Sequence, residues 1–433
     1  MTRRARVLGA FWWCAGLWLA LLCTASPAHA AVERTQLPNG SALIVRRDAA
    51  VPLVAMELWF RAPSIGFHAP IIGLSRYAAS AIAASPQGRE PSLSTLIKNL
   101  GGRLVINAYA DAVSVAVSVP ADQQRRVLRA VTRAYFTPII STQAMRTAVR
   151  DVAIAGTQQQ LDPQATLHDA LFSQLFSGGA AHYATVPTNA NALSRVSLPE
   201  LKSFATRAFR STNAIVTVAG RAPDNLAADF SGRSSGQPME NPVDSVPAGQ
   251  PTTSTRTYEE DAVGYAWLGP PIRDVKAATA LDFIADYLFR ADTGVVAQLG
   301  RADAADTFLS GQFITLHDPG VMMIEMAGKQ IDRLQAHVED QLQQIKRPLS
   351  QSVFDRARTA FQYHILSDTE SPLATADNFG WYAVEGDPLY APSDDGAKYL
   401  QVTQSLDPGY VARIAQQYLG SPTVVRLKAG VKS

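Results

Sequence analysis

Thr137-Pro138-Ile139-Ile140-Ser141 and Arg347-Pro348-Leu349-Ser350 are the two stretches that decide the fold predicted for this chain. Each joins two helical patterns through a proline corner, and Pro138 and Pro348 are 210 residues apart. Two predicted strands end in Ala219-Gly220 and Ala429-Gly430, which are also 210 residues apart. Agreement at two distant landmarks predicts an internal duplication.

Working outward from these landmarks, the same order of elements recurs in each half. A strand is followed by a helix and two more strands, then by long helices and a closing strand. The landmarks of this order are Val51–Phe60, Gly73–Ser85 and Ala214–Ala219 in the first half, and Ala262–Leu268, Ala277–Arg290 and Val424–Lys428 in the second. Each half is therefore predicted as an α+β unit, a sheet with its helices packed on one face. Two such units predict a bilobed protein with an inner cleft, while the strand order stays open.

The boundaries of the units follow from composition. The stretch 230–253 is rich in Ser, Gly and Pro and lacks apolar periodicity, which is typical of a linker. We therefore expect a leader over residues 1–30, a first unit over 31–229, the linker, and a second unit over 254–433. A chain of 433 residues is long enough for two separate cores.

The first thirty residues have the form of a secretory signal peptide. Arg3, Arg4 and Arg6 precede the apolar run Val7–Leu22, and Ala28-His29-Ala30 supplies an Ala-x-Ala cleavage site. Cleavage is predicted after Ala30. The run is shorter than the ~20 residues of a spanning helix, so no retained membrane span is expected. The protein is therefore predicted to be periplasmic or secreted.

Charge and cysteine content exclude several classes of function. The 39 Lys+Arg residues fall to 36 once the three leader arginines are removed, against 37 Asp+Glu. Nothing in this balance favours nucleic acid as a partner. Both cysteines, Cys14 and Cys23, lie in the leader, which excludes disulfides and thiol chemistry from the exported chain. The stretch 232–236 matches G-x-S-x-G but lies in the linker, without the strand–turn–helix context that a nucleophile needs.

Several segments, taken in order, resemble the pitrilysin/insulinase family of zinc peptidases. They are Leu37-Pro38-Asn39-Gly40, Gly73-Leu74-Ser75, Leu100-Gly101-Gly102-Arg103 with Asn107-Ala108-Tyr109, His182-Tyr183, Asn213–Gly220 and Glu385-Gly386-Asp387-Pro388. The resemblance covers nearly the whole chain beyond the leader. It implies two homologous pitrilysin-type units that form a bilobed half-clamshell.

The catalytic motif of that family is not present. Family members carry His-x-x-Glu-His on the helix after the Gly-Leu turn, where the two histidines bind Zn²⁺ and the glutamate activates water. Arg76 and Ser80 stand at the histidine positions, and Ala79 stands at the position of the glutamate. An arginine cannot ligate zinc and repels it. We therefore expect no metal, no other cofactor and no catalytic residue.

The third zinc ligand of the family, a glutamate in a later helix, is missing as well. The corresponding helix here is Arg146–Ala155, and no glutamate occurs between Glu90 and Glu200. Six histidines remain beyond the leader, and none has another ligand at metalloprotease spacing: His68, His168, His182, His317, His337 and His364.

The family also carries an Arg-x-x-x-x-x-x-Tyr element that is thought to hold the substrate backbone. Arg301 is present at the matching position, and Phe308 replaces the tyrosine. One interpretation is that both residues bind substrate, with Arg301 contacting a peptide carbonyl or carboxylate. The other is a solvated arginine followed by a core phenylalanine, and the missing hydroxyl favours it.

Three functions are open from the sequence. The chain resembles the subunit of a two-chain peptidase that confines substrate beside a zinc-bearing homologue of similar length. Alternatively it binds peptides or an envelope protein without cleaving them. The third possibility, an active zinc peptidase, is disfavoured because the ligands and the base are all replaced.

Overall fold

A computed structural model describes residues 32–61, 73–109, 112–176, 190–230, 252–303, 307–386 and 397–430. The strands are β1 Val32–Gln36, β2 Ala42–Arg47, β3 Leu53–Phe60, β4 Pro86–Gln87, β5 Glu90–Ser92, β6 Arg103–Ala108, β7 Val113–Pro120, β8 Ala214–Gly220, β9 Thr253–Tyr258, β10 Ala262–Leu268, β11 Phe308–Ile314, β12 Val321–Ala327 and β13 Thr423–Ala429. The helices are α1 Leu74–Ala84, α2 Leu93–Asn99, α3 Gln124–Phe136, α4 Thr142–Gln160, α5 Pro163–Leu175, α6 Ala190–Ser194, α7 Leu198–Ala208, α8 Val275–Phe289, α9 Val295–Asp303, α10 Ile331–Gln344, α11 Gln351–Ser367, α12 Pro372–Glu385, α13 Ala397–Gln404 and α14 Pro408–Tyr418.

The strands form two large mixed sheets, one from each half of the chain. The first has the order β1-β2-β8-β3-β7-β6, and the second has the order β11-β12-β10-β13-β9. In both, the closing strand pairs antiparallel with the central strand and parallel with a strand on its other side. The predicted α+β class is therefore confirmed, and the strand order, left open by the sequence, is now given.

One face of each sheet carries that half's own helices. In the first half α1 packs with α2, α3, α4 and α7, and this layer closes a core with β3, β7 and β8. In the second half α8 takes the place of α1 and packs with α9, α11, α13 and α14. The predicted proline corners lie within these layers, where Ser141 caps α4 by accepting a hydrogen bond from the Ala144 N–H at 3.1 Å.

The other face of each sheet is covered by a helix from the opposite half. Helix α12 of the second half lies on β3 and β8 of the first sheet. Helix α5 of the first half lies on β10, β12 and β13 of the second sheet. Because both of its faces are covered, β3 is buried along nearly its whole length, as strands between two helical layers are. This exchange of helices was not foreseen from the sequence.

Several predicted features lie outside the described residues. These are the leader, His68, the His182-Tyr183 pair and the G-x-S-x-G match. Most of the predicted linker is also outside, and Phe230 at its start is buried in the first core. Among the described residues, no helix combines the length and apolar character needed to cross a membrane.

The exchanged helix α12 approaches the first sheet so closely that one position must be glycine. A Cβ atom at Gly380 would lie 1.9 Å from Nε1 of Trp59, which is fully buried on β3. The indole would have to move away from its stacking partner Tyr109, at a ring distance of 5.2 Å.

The other exchanged helix makes the equivalent contact with the sizes reversed. A Cβ atom at Gly264 on β10 would lie 2.7 Å from Cδ1 of Leu171 on α5. Leu171 precedes Gly380 by 209 residues, close to the repeat spacing. The large residue therefore lies on the sheet in one half and on the helix in the other.

We expect Gly380→Ala to destabilise the protein by about 1–3 kcal/mol, because the added methyl overpacks the contact with Trp59. The measurement is the free energy of unfolding in urea. Gly409→Ala is the matched control, since a Cβ at this helical position lies no closer than 3.2 Å to its neighbours. Equal effects of the two substitutions would contradict the contact.

Candidate functional site

Helix α1 carries the three positions that correspond to the zinc motif. It begins after Gly73, whose φ of 81° places the chain in the left-handed region that glycine tolerates. Arg76 and Ser80 are half-buried and lie one helical turn apart, while Ala79 is fully buried. The first two therefore share one face of the helix, and the third points into the core.

The surroundings of Ala79 leave no place for a catalytic base. The Tyr135 hydroxyl donates a hydrogen bond to the Ala79 carbonyl oxygen at 2.9 Å, which ties α3 to α1. Tyr135 is itself fully buried. A carboxylate at position 79 would be buried in apolar surroundings without a cation to balance it.

Arg76 brings a positive charge to the position of a metal ligand. Burial lowers the pKa of its guanidinium, which nevertheless remains charged at neutral pH. No ion pair with Arg76 occurs in the part of the chain that the structure describes. Such a group can bind a carboxylate or a peptide carbonyl oxygen, and it disfavours a cation.

The helix that corresponds to the third zinc ligand, α4, packs directly against α1. Its buried face consists of small and apolar residues: Ala144, Ala148, Val152 and Gly156. Throughout the described ranges, no group of three or more His, Cys, Asp or Glu side chains could hold a metal ion. The residues present do not fit a zinc ion at this position.

The predicted substrate-binding pair lies at the start of the second half. Arg301 belongs to α9, and its side chain is outside the description. Phe308 is the first residue of β11 and is 39% exposed. The alternative that Phe308 is a core residue is therefore wrong, and the joint role of the pair stays a prediction.

The sequence analysis missed a pair of carboxyl groups under the exchanged helix α12. Glu57, on the central strand β3, is fully buried, and Asp377 on α12 faces it. Burial, followed by the charge of Asp377, raises the pKa of Glu57 to about 8. Burial also raises the pKa of Asp377. The pair therefore retains a proton at neutral pH.

Aromatic rings enclose this pair. Trp59, Tyr109 and Trp381 pack together with ring centroids 5.0–6.0 Å apart. Neither carboxyl oxygen of Glu57 has a partner in full hydrogen-bonding geometry among the described residues, although the Ser114 hydroxyl and the Trp59 indole lie beside it. Glu57 is thus fully buried in the interface between the two halves, while Asp377 is partly exposed.

A second buried acid lies under the other exchanged helix. Glu325, on strand β12 next to the central strand β10, is 1% exposed and accepts a hydrogen bond from the Gln164 amide of α5 at 3.1 Å. Nδ1 of His168, one turn further along α5, lies 3.9 Å from its other oxygen. Burial raises the pKa of Glu325 to about 7, and burial lowers the pKa of His168.

The sequence does contain a signal for these two acids. Each is the only charged residue in an otherwise apolar strand, Leu53–Phe60 or Val321–Ala327. A charge in a strand that is buried on both faces requires a polar partner from the layer above it. The partners could not be predicted because they come from the opposite half.

Two other histidines have structural partners. Nδ1 of His364 lies 2.9 and 3.0 Å from the carboxyl oxygens of Asp286, and both residues are inside the second core. The His317 N–H donates a hydrogen bond to Glu385 at 2.6 Å, which holds its loop to the end of α12. Neither histidine belongs to a metal-ligand group within the described residues.

We expect Ala79→Glu to lower the free energy of unfolding by about 3 kcal/mol or more, because it buries an uncompensated charge beneath Tyr135. Ser80→Glu is the matched control and should cost less than about 1 kcal/mol, since this position is half-buried and reaches solvent. Urea unfolding of both variants at pH 7.5 measures the difference. A tolerated glutamate at position 79 would show that the helix can still accommodate a base.

The whole described fold is similar to that of known peptidases. A protease from Helicobacter pylori superposes with a TM-score of 0.77 at 16% identity, covering 92% of this chain and 99% of that chain. A protein from Pseudomonas fluorescens, described as a peptidase M16 inactive domain, has a TM-score of 0.78 at 15% identity, with coverages of 92% and 98%. A protein from Alicyclobacillus acidocaldarius, described as M16-like, has a TM-score of 0.77 at 13% identity with the same coverages.

No family model and no curated protein sequence matches the chain. The structural similarity therefore establishes the fold, which is that of M16-like peptidases over nearly the whole chain.

Proposed function

We propose that this chain is a non-catalytic homologue of the M16 peptidases that confines peptide substrate as the partner of a zinc-bearing homologue. The observation that carries the proposal is the set Arg76, Ala79 and Ser80 at the motif positions of α1, next to an α4 face without a carboxylate. A chain without ligands and base does not activate water by the zinc mechanism. It can still supply one wall of a cleft.

The comparison with the Pseudomonas fluorescens protein supports this proposal. That protein is described as an inactive domain, and it covers 92% of this chain. We infer the same lack of catalysis here. The sequence resembles the two-unit chains of the family, each of which forms half of a clamshell. We infer from this resemblance that the chain pairs with an active homologue, which supplies the other half.

The edge of the first sheet offers a place to hold a peptide. Strand β6 pairs with β7 on one side, and no strand of the described chain pairs with its other side. The free N–H and C=O groups of an edge strand bind an extended peptide by adding it to the sheet. Strand β11 is the corresponding edge of the second sheet.

The leader supports a location outside the cytoplasm for the proposed activity. Its three arginines, apolar run and Ala-x-Ala site support export with cleavage after Ala30. We therefore propose a periplasmic or secreted peptidase subunit that handles peptides of the cell envelope.

Purification of the tagged protein from its native envelope should recover an equimolar homologue with an intact His-x-x-Glu-His motif. The pair should contain one zinc per partner chain, because the residues of this chain do not fit the ion. Mass spectrometry identifies the partner and elemental analysis measures the zinc. Recovery of this chain alone and free of zinc would favour a peptide- or envelope-protein-binding module instead.

Arg301→Ala should reduce kcat/KM of the reconstituted pair for a peptide substrate by about 10-fold or more, the effect of losing a charge-assisted hydrogen bond worth ~1.5–3 kcal/mol. Arg347→Ala is the control, since Arg347 is an exposed arginine at the corner before α11. Unchanged turnover with Arg301→Ala would remove this residue from the substrate site.

A further inference from the structure

The exchanged helix α12 packs on the first sheet through apolar side chains, and within this contact it places Asp377 opposite the buried Glu57. Glu57 comes from the middle of β3, and Asp377 lies six residues into α12. Because α12 belongs to the second half, this contact joins the two halves of the chain. Because Glu57 is fully buried, its ionisation beside Asp377 carries a large cost.

The groups that face the pair from each neighbouring element are mostly neutral. Strand β7 contributes the Ser114 hydroxyl, and Tyr109 follows β6. On β2, the Arg46 guanidinium donates hydrogen bonds at 3.3 Å to the Thr369 carbonyl and the Thr375 hydroxyl. No cation is among the groups that shift the pKa of Glu57 or Asp377.

We propose that Glu57, buried beneath α12 and facing Asp377, is a proton-operated latch between the two halves: α12 stays on the first sheet while Glu57 is protonated, and ionisation of Glu57 beside Asp377 releases it. The proposed switch is the binding of a proton to the Glu57 carboxyl group, and no other ligand is required. The proposal is independent of the peptidase partner, because it rests on contacts within this chain alone.

The direction of the pH dependence follows from the raised pKa of Glu57. Its pKa is about 8 in the folded protein, against the 4.5 that is ordinary for a glutamate in an unfolded chain. The folded state therefore binds the proton more tightly than the unfolded state. The stabilising contribution is complete below about pH 4.5 and declines as the pH rises to about 8, where the second charge appears beside Asp377.

The contact of the other exchanged helix, α5, with the second sheet is also expected to weaken as the pH rises. Glu325 faces His168 and Gln164 from α5, with Asp162 and Asp169 near it on the same side. The lowered pKa of His168 keeps its ring neutral at neutral pH, so it supplies no cation when Glu325 loses its proton. Both contacts between the halves therefore weaken as the pH rises past about 7.

His168 and Asp377 occupy the same place in the two exchanged helices. They are 209 residues apart, and each is the sixth residue of a helix that begins with proline. Each faces a buried glutamate on the opposite half's sheet. The two helix positions therefore correspond, whereas the two glutamates lie on different strands of their sheets, β3 and β12.

Hydrogen–deuterium exchange of the full chain between pH 6 and pH 9, corrected for intrinsic exchange, tests the latch. Protection of the peptide covering Pro372–Glu385 should fall at least ~10-fold across this range relative to helix α14, since loss of one linked proton changes an equilibrium about tenfold per pH unit. In Glu57→Gln, whose amide imitates the protonated acid, the fall should be less than ~3-fold. Glu260→Gln, an exposed control, should behave as the unaltered chain does.

Constant protection of α12 in the unaltered chain from pH 6 to pH 9 would overturn the proposal, whatever the variants do. Retention of the full pH dependence in Glu57→Gln would overturn it as well. If circular dichroism shows that Glu57→Gln does not fold, Asp377→Asn replaces it, because this substitution removes the opposing charge from the other side. In Asp377→Asn the fall in protection should persist but move to lower pH, because burial still raises the pKa of Glu57 while the opposing charge is gone; a fall at an unchanged pH would overturn the role of the pair.

Discussion

The architecture depends on a requirement that each sheet must be covered on both faces, although each half of the chain covers only one. The second face of the first sheet is closed by α12 and that of the second sheet by α5. Burial of Trp59, Trp381 and Phe379 is completed only when α12 is in place. Neither sheet can therefore bury its second face without the helix that the opposite half supplies.

Much of the fold could be predicted because its main features are local or periodic. The strand at Leu53–Phe60 is a short, nearly unbroken apolar run, and the helix at Leu74–Ala84 has helical periodicity. The duplication follows from repeated landmarks. The exchange could not be predicted, because periodicity indicates that a helix has a buried face without indicating which sheet buries it. The apolar residues of α5 that are buried, such as Leu167, Leu171 and Leu175, would read the same in the sequence whether the helix covered its own sheet or the other one.

The residues of the candidate site also include some that could be predicted from the sequence and some that could not. The motif positions Arg76, Ala79 and Ser80 could be located from the sequence because they lie at fixed distances from a glycine turn on one helix. The acids between the halves could not, since Glu57 and Asp377 are 320 residues apart and meet only through the exchange. An acid in an apolar strand indicates that a polar partner exists, but its identity depends on tertiary structure.

The reversed sizes at the two helix–sheet contacts affect how a duplicated chain folds. Two similar halves offer two similar helices and two similar sheets, so each helix could dock on the wrong sheet during folding. Leu171 would collide with Trp59, and Gly380 would leave an unfilled gap opposite Gly264. A single exchange of large and small residues thus makes the correct pairing the only one that packs without a clash or a void.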